Sequence, residues 1–259
     1  MNAYVGALLA ILLLVHLAFA FAIRMKRNDL ADIIWGPGFI VASIGAWLGS
    51  VNALAIDLYS AIPFICISIW AFRLCWHIGG RVLHHNEEDH RYQKMRQNWG
   101  ANWVLNTYFK VFLLQGFLML VISMPLIQFI NTQLKYNSSS IAIGTLIWVF
   151  GFLFEAISDA QLKKFKLKPE NKGQLMTLGF WSWSRHPNYF GEVVQWWGIF
   201  VMLVSATSWF IILSPLTITI LILKISGIPL LEKTMQSKPG FLAYSKRTSI
   251  FVPWPPNGS

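Results

Sequence analysis

Long apolar runs broken by short polar stretches dominate the chain. A hydrocarbon core of about 30 Å takes roughly 20 apolar residues in a helix. Seven runs approach or exceed that length, at 3–23, 33–51, 56–78, 108–130, 141–160, 190–206 and 208–229. The pattern predicts an all-α, polytopic membrane helix bundle of about seven transmembrane helices, one membrane domain over 1–259. The first run lacks a small-residue cleavage site, so it reads as a retained helix. The stretch "KYNSSS" at 135–140 reads as a polar turn.

Composition agrees with the pattern. Hydrophobic residues make up 55% of the chain and charged residues 12%, against about 25% charged in soluble domains. The net charge of +10 would suit nucleic acid if it were compact, but the basic residues are scattered between apolar runs, and nucleic-acid binding is excluded on that ground. Their placement sets an orientation instead, because cytoplasmic loops carry the Lys and Arg excess. With the N-terminus outside, the cytoplasmic side receives Arg24, Lys26 and Arg27, then Arg81, Arg91, Lys94 and Arg96, then Lys163 to Lys172 with Arg185, then Lys233, Lys238, Lys246 and Arg247. The opposite side holds Lys135, and the C-terminus is cytoplasmic. Cys66 and Cys75 lie nine residues apart in one apolar run, too far along a helix to bridge.

Polar residues recur on single helix faces. Arg73, His77, Arg81 and His85 are spaced by four, so they share one face. They form either a snorkelling helix end or a cationic stripe lining a cavity. His84, His85 and His90 stand beside acids but match no metal-site spacing, and no metal is expected. Glu155, Asp159 and Lys163 are again four apart. An Asp followed by Lys at that spacing can be a simple helix ion pair, yet Glu155 lies inside an apolar run, where a carboxylate needs a specific partner. The cluster Lys163, Lys164, Lys166 and Lys168 suits lipid headgroups and nucleotide phosphates equally.

The richest stretch is "WSWSRHPNYFGEVVQWWG", 181–198. Pro187 suits a helix start, which puts Asn188, Tyr189 and Glu192 in or beside the first turn, where free backbone N–H groups favour anions. Interfacial belts explain the Trp and Tyr residues, but not Glu192 or the ordered Arg185-His186-Pro187-Asn188-Tyr189. Glu232 follows the last run. The tail "FLAYSKRTSIFVPWPP" adds Tyr244, Lys246 and Arg247, as an interfacial segment or as a lid over a cofactor.

In "FEAISDAQLKKFK", "GFWSWSRHPNYFGEVVQWWG", "SGIPLLE" and "YSKRTSIFVPWPP", with "EEDHRYQKMRQNWG" before them, the chain resembles the steroid 5α-reductase superfamily. The likeness is to its bacterial-type branch of unknown function, with the 3-oxo-5-alpha-steroid 4-dehydrogenase C-terminal domain. The Arg-His-Pro-x-Tyr core also resembles isoprenylcysteine carboxyl methyltransferases. The resemblance implies a seven-helix reductase with NADPH in a cytoplasm-facing cavity, helices 1–130 on the substrate side and 141–259 as the reductase-like region. It places Glu155, Asp159 and Lys166, with Lys163 in the same basic cluster, against the cofactor. Asn188 and Glu192 line the nicotinamide ribose, with Arg185, His186 and Tyr189 beside them, and Glu232, Tyr244 and Arg247 close the site.

Steroid-reducing members carry a Gln-Glu pair in the second helix, which "WGPGFIVASIGAWLGSVNALA" lacks. The expected activity is therefore NADPH-dependent reduction of an activated C=C bond in a lipophilic substrate, with membrane lipids around it. Arg73 or His77 is the expected polarising group, followed by Tyr108 and Asp32. The alternatives are an S-adenosylmethionine-dependent membrane methyltransferase and a lipid-binding or assembly-supporting membrane protein. The expected location is a bacterial inner membrane in preference to the endoplasmic reticulum.

Overall fold

A computed structural model describes residues 2–50, 57–84, 87–132 and 137–256. Of the described residues, 82% are helical. No strand forms among the described residues beyond a single bridge between Ser184 and Ser249. The helices are α1 Ala3–Met25, α2 Leu30–Gly49, α3 Leu58–His84, α4 His90–Trp99, α5 Trp103–Thr107, α6 Leu114–Ile122, α7 Met124–Thr132, α8 Ser138–Lys166, α9 Pro187–Leu203, α10 Leu213–Ile220, α11 Ile228–Met235 and α12 Phe241–Arg247. Among the described residues seven stretches are long and apolar enough to cross a bilayer, so the chain is a multi-pass integral membrane protein.

The fourth span departs from the hydropathy expectation. It runs over His90–Ile122, where the apolar run predicted 108–130. The polar helix α4 continues through α5 and a π-helical turn, Tyr108–Leu113, into α6. Pro125 explains the end: its ring clashes with the carbonyl four residues earlier and it has no N–H to donate, so the helix breaks at Ser123 and restarts as α7. Of the polar turn predicted at 135–140, residues 135–136 lie outside the described residues, and Ser138 to Ser140 open α8.

Contacts divide the chain into two compact units. One holds 1–141 and 202–214, the other 142–201 and 215–259. In the first unit, α1 and α2 pack antiparallel through small residues. A Cβ on Gly6 would lie 2.1 Å from the Gly45 carbonyl oxygen, so the backbones touch as small-residue membrane interfaces allow. Asn2 caps α1 by accepting from the Val5 N–H at 3.0 Å, and Lys26 ends it in the left-handed region at φ 55°. The large side chains point the other way: Leu9, Leu13, Leu17 and Phe21 are exposed, an outward apolar stripe suited to lipid.

An ionic network closes the turn between α1 and α2. Arg27 donates to Asp29 and, at 2.7 Å, to the Val82 carbonyl. Asp29 also accepts from the Asp89 N–H, and Glu88 accepts from the Asn28 N–H at 2.6 Å and from Arg96 at 2.7 Å. Asp32 accepts from Arg91 at 2.9 Å and from the Tyr92 hydroxyl. Hydrogen bonding to Asp29 raises the Arg27 pKa. The "EEDHRY" stretch is thus tied into the fold by its acids and bases.

In the second unit, α8 and α9 also meet through glycine. A Cβ on Gly191 would sit 2.5 Å from the Glu155 nitrogen and from the Gly151 carbonyl oxygen. Phe154 stacks on Phe180 with ring centroids 4.2 Å apart and meets Phe190 edge-on.

Candidate functional site

The α8–α9 crossing positions the first group of polar side chains. On α8, Glu155 is 3% exposed and Asp159 9%, one turn apart on one face. From α9, Gln195 donates its Nε2 to Glu155, and Asn188 donates its Nδ2 to Asp159 at 3.1 Å. Because a carboxylate can only accept here, each amide must turn its nitrogen toward the acid. That leaves the Gln195 Oε1 and the Asn188 Oδ1 buried without a partner. The indole N–H of Trp148, two turns before Glu155, is likewise unpartnered. Two acceptors and one donor are therefore held inside an apolar helix pair, where unmade hydrogen bonds cost about 1–3 kcal/mol each. Glu192 and Tyr189 are half-buried on α9.

The same face of α8 runs on to Lys163, and Lys163, Lys164 and Lys166 are exposed in its last turn. Lysine there also satisfies the helix C-terminus. Charge thus changes sign along one helix, from buried acids to exposed bases.

A second group forms where the tail meets the 181–187 turn. Arg185 is 8% exposed. Its Nε and Nη2 donate to the two oxygens of Glu232 at 3.0 and 2.9 Å, and its Nη1 donates to the carbonyls of Ser245 and Thr248 at 3.0 and 2.9 Å. The guanidinium therefore caps the end of α12, whose last carbonyls have no helical partner, while holding an acid bidentately. His186 donates from Nε2 to Glu232 at 2.8 Å, with its Nδ1 buried and unpartnered. Its ring stacks on Tyr189. Burial pushes the His186 pKa down, against the pull of the Glu232 hydrogen bond. The Tyr244 hydroxyl donates to the Trp181 carbonyl, and burial raises its pKa. Backbone bonds finish the latch: Arg185 N–H to Ser249 at 2.8 Å and Trp254 N–H to Trp183 at 3.0 Å.

All twelve residues read as cofactor-binding lie in this second unit, but they divide by work. Glu155 and Asp159 hold the amides of Gln195 and Asn188, the Asn188 oxygen is left unpartnered, Tyr189 and Glu192 lie half-buried on α9, and Lys163 and Lys166 end α8. Arg185 and Tyr244 spend their hydrogen bonds joining the turn to the tail, Glu232 accepts from Arg185 and His186, and His186 keeps one nitrogen. Arg247 is exposed beside a shallow cavity of about 400 Å³ lined by Lys246, Thr248, Ser249, Val252, Trp254 and Pro255. Gln195 escaped the sequence reading; its signal was a polar residue one turn after Gly191 in an apolar helix.

The residues read as catalytic lie in the first unit. Arg73 is half-buried and His77 exposed, one turn apart on α3. Tyr108 opens the π-helical turn and its hydroxyl meets His16 Nε2 at 3.0 Å. Asp32 is engaged by Arg91 and Tyr92. His85 lies outside the described residues and so do the side chains of Arg81 and His84. Among the described residues no three metal-ligating side chains cluster.

The sequence model of the family described as "Protein of unknown function (DUF1295)" matches residues 18–248, and the chain belongs to that family. No curated protein and no solved structure matches the chain.

Proposed function

We propose that this member of the DUF1295 family is an integral membrane reductase that takes NADPH in its second unit and reduces an activated C=C bond of a lipophilic substrate. The observation that carries the reading is the α8–α9 ladder. Two buried carboxylates each hold a side-chain amide whose oxygen is left unpartnered, on a helix that ends in exposed lysines.

The donor set fits the cofactor. The Asn188 and Gln195 oxygens suit a carboxamide N–H or ribose O–H donor, the Trp148 N–H suits a carbonyl, and Lys163 and Lys166 suit phosphate oxygens. NADPH, when bound, supplies the hydride. The protein's part is to orient and to exclude water: Glu155 and Asp159 fix the two amides, and Gly191 keeps α9 close enough for both bonds. Arg73 and His77 on α3 remain the proposed polarising groups, ahead of Tyr108 and Asp32. We place the N-terminus outside and the C-terminus in the cytoplasm on the loop charges, and the protein in a bacterial inner membrane on its resemblance to the bacterial-type branch.

A methyltransferase using S-adenosylmethionine is the alternative. It has no use for phosphate-binding lysines, and one titration separates the two. Thermal unfolding of the detergent-purified protein is followed with NADPH, NADH and S-adenosylmethionine, because a ligand that binds the native state raises its apparent stability. The reductase reading expects a rise with NADPH that disappears in Glu192→Ala and Asn188→Ala. A rise with S-adenosylmethionine alone overturns it.

A further inference from the structure

His16 stands in the middle of the first span. Counting at about 1.5 Å per residue, it lies about 20 Å from Ala3 and about 13 Å from Met25 along the helix axis. It is exposed, on the outward side of α1 with Leu13 and Leu17. An ionisable residue at such depth is rare and marks a function more often than not.

Its hydrogen bonds fix what it can do. Nδ1 lies 2.6 Å from the Leu12 carbonyl oxygen. A carbonyl only accepts, so Nδ1 carries the proton. In the neutral ring Nε2 then only accepts, and the Tyr108 hydroxyl, 3.0 Å away, donates to it. The Tyr108 proton is committed, while the Tyr108 oxygen keeps lone pairs. Phe19 and Phe109 meet the Tyr108 ring edge-on at 5.1 and 4.9 Å, and Phe109 is itself exposed. The result is one hydrogen-bond acceptor in an aromatic setting, on the exposed side of an apolar span.

Two facts separate this dyad from a plain tie between helices. Such a tie is enclosed between its helices, whereas His16 is exposed. Tyr108 also opens a π-helical turn, a rare geometry that recurs at functional sites.

We propose that His16 and Tyr108 form an intramembrane site for the hydroxyl group of a lipophilic alcohol, with the Tyr108 oxygen as acceptor and Phe19 and Phe109 against the hydrocarbon body. The site belongs to the first unit alone and stands whether or not the second unit binds NADPH. A ketone is disfavoured, because no free proton faces it.

The test uses the full-length protein in detergent micelles with three diazirine-bearing photoprobes on one C18 chain: an alcohol, its methyl ether and the matching ketone. In the wild type, the alcohol labels peptides of α1 and of the Tyr108–Leu113 turn about five- to tenfold more than the ether, the ratio expected of one buried hydrogen bond. Tyr108→Phe lowers alcohol labelling to the ether level without changing ether labelling. His16→Leu releases the Tyr108 proton, so ketone labelling rises relative to the ether. Equal labelling of the wild type by alcohol and ether overturns the proposal, and that comparison needs no variant to fold. A ketone-to-ether ratio unchanged in His16→Leu overturns the assignment of the proton to His16.

Discussion

Replacing Gly191 with alanine tests whether the α8–α9 crossing sets the polar ladder. The added methyl would lie 2.5 Å from the Glu155 nitrogen and the Gly151 oxygen, both backbone atoms, and ordinary contact begins at 3.4 Å. The helices must therefore part by about 0.9 Å at that point. Overpacking of this kind costs about 1–3 kcal/mol. The Glu155–Gln195 bond, one turn away, then stretches past hydrogen-bonding distance, which adds about 1.5–3 kcal/mol for a charged partner. A total of about 2.5–6 kcal/mol corresponds to a fall of about 5–24 °C in the unfolding temperature of a chain this size. The same variant loses the NADPH-induced rise. Gly79→Ala is the matched control: nothing lies within 4 Å of its Cβ position, and alanine raises helix propensity by about 0.8–1 kcal/mol. Differential scanning fluorimetry on both variants decides it. An unfolding temperature for Gly191→Ala within 2 °C of wild type (about 1 kcal/mol or less), with the ligand response intact, refutes the reasoning.

Burial holds His186 neutral, so below its unfolded pKa of about 6.5 the unfolded chain takes up a proton that the native state refuses. Stability then falls as pH drops through that value, by at most about 1.4 kcal/mol per pH unit, and His186→Gln flattens the dependence measured between pH 7.5 and 5.5. Tyr244→Phe leaves the buried Trp181 carbonyl without its donor, costs about 1–2 kcal/mol and speeds limited proteolysis within 248–256. Arg185→Lys keeps the charge but cannot serve Glu232 and two carbonyls together, so it destabilises nearly as much as Arg185→Ala in the same unfolding assay. Asp29→Asn weakens the pairing with Arg27 and, because Asp29 is 2% exposed, lowers the unfolding temperature by several degrees.

The spans were legible because a bilayer demands length and apolarity, which a sequence displays directly. The fourth was misplaced because Pro125 sits inside an apolar run that hydropathy reads as continuous, and because α4 is polar. The face carrying Glu155, Asp159 and Lys163 was legible from its spacing of four. Gln195 and His16 were not, since each gains meaning from a partner 40 or 92 residues away. Periodicity records what repeats along one helix and is blind to what another helix brings. Arg185 shows the converse: the resemblance set it beside the nicotinamide ribose, whereas its partners are an acid and the carbonyls that end α12.

The same latch bears on synthesis. During translation the 181–187 turn emerges about 60 residues before the segment that completes it. Until Tyr244 through Trp254 have left the ribosome, Arg185 has no carbonyls to cap and the Trp181 oxygen has no donor. A chain stopped short of that segment therefore leaves the polar groups of the 181–187 turn unsatisfied next to its apolar helices, so the second unit's turn is completed only once Tyr244 to Trp254 have been made.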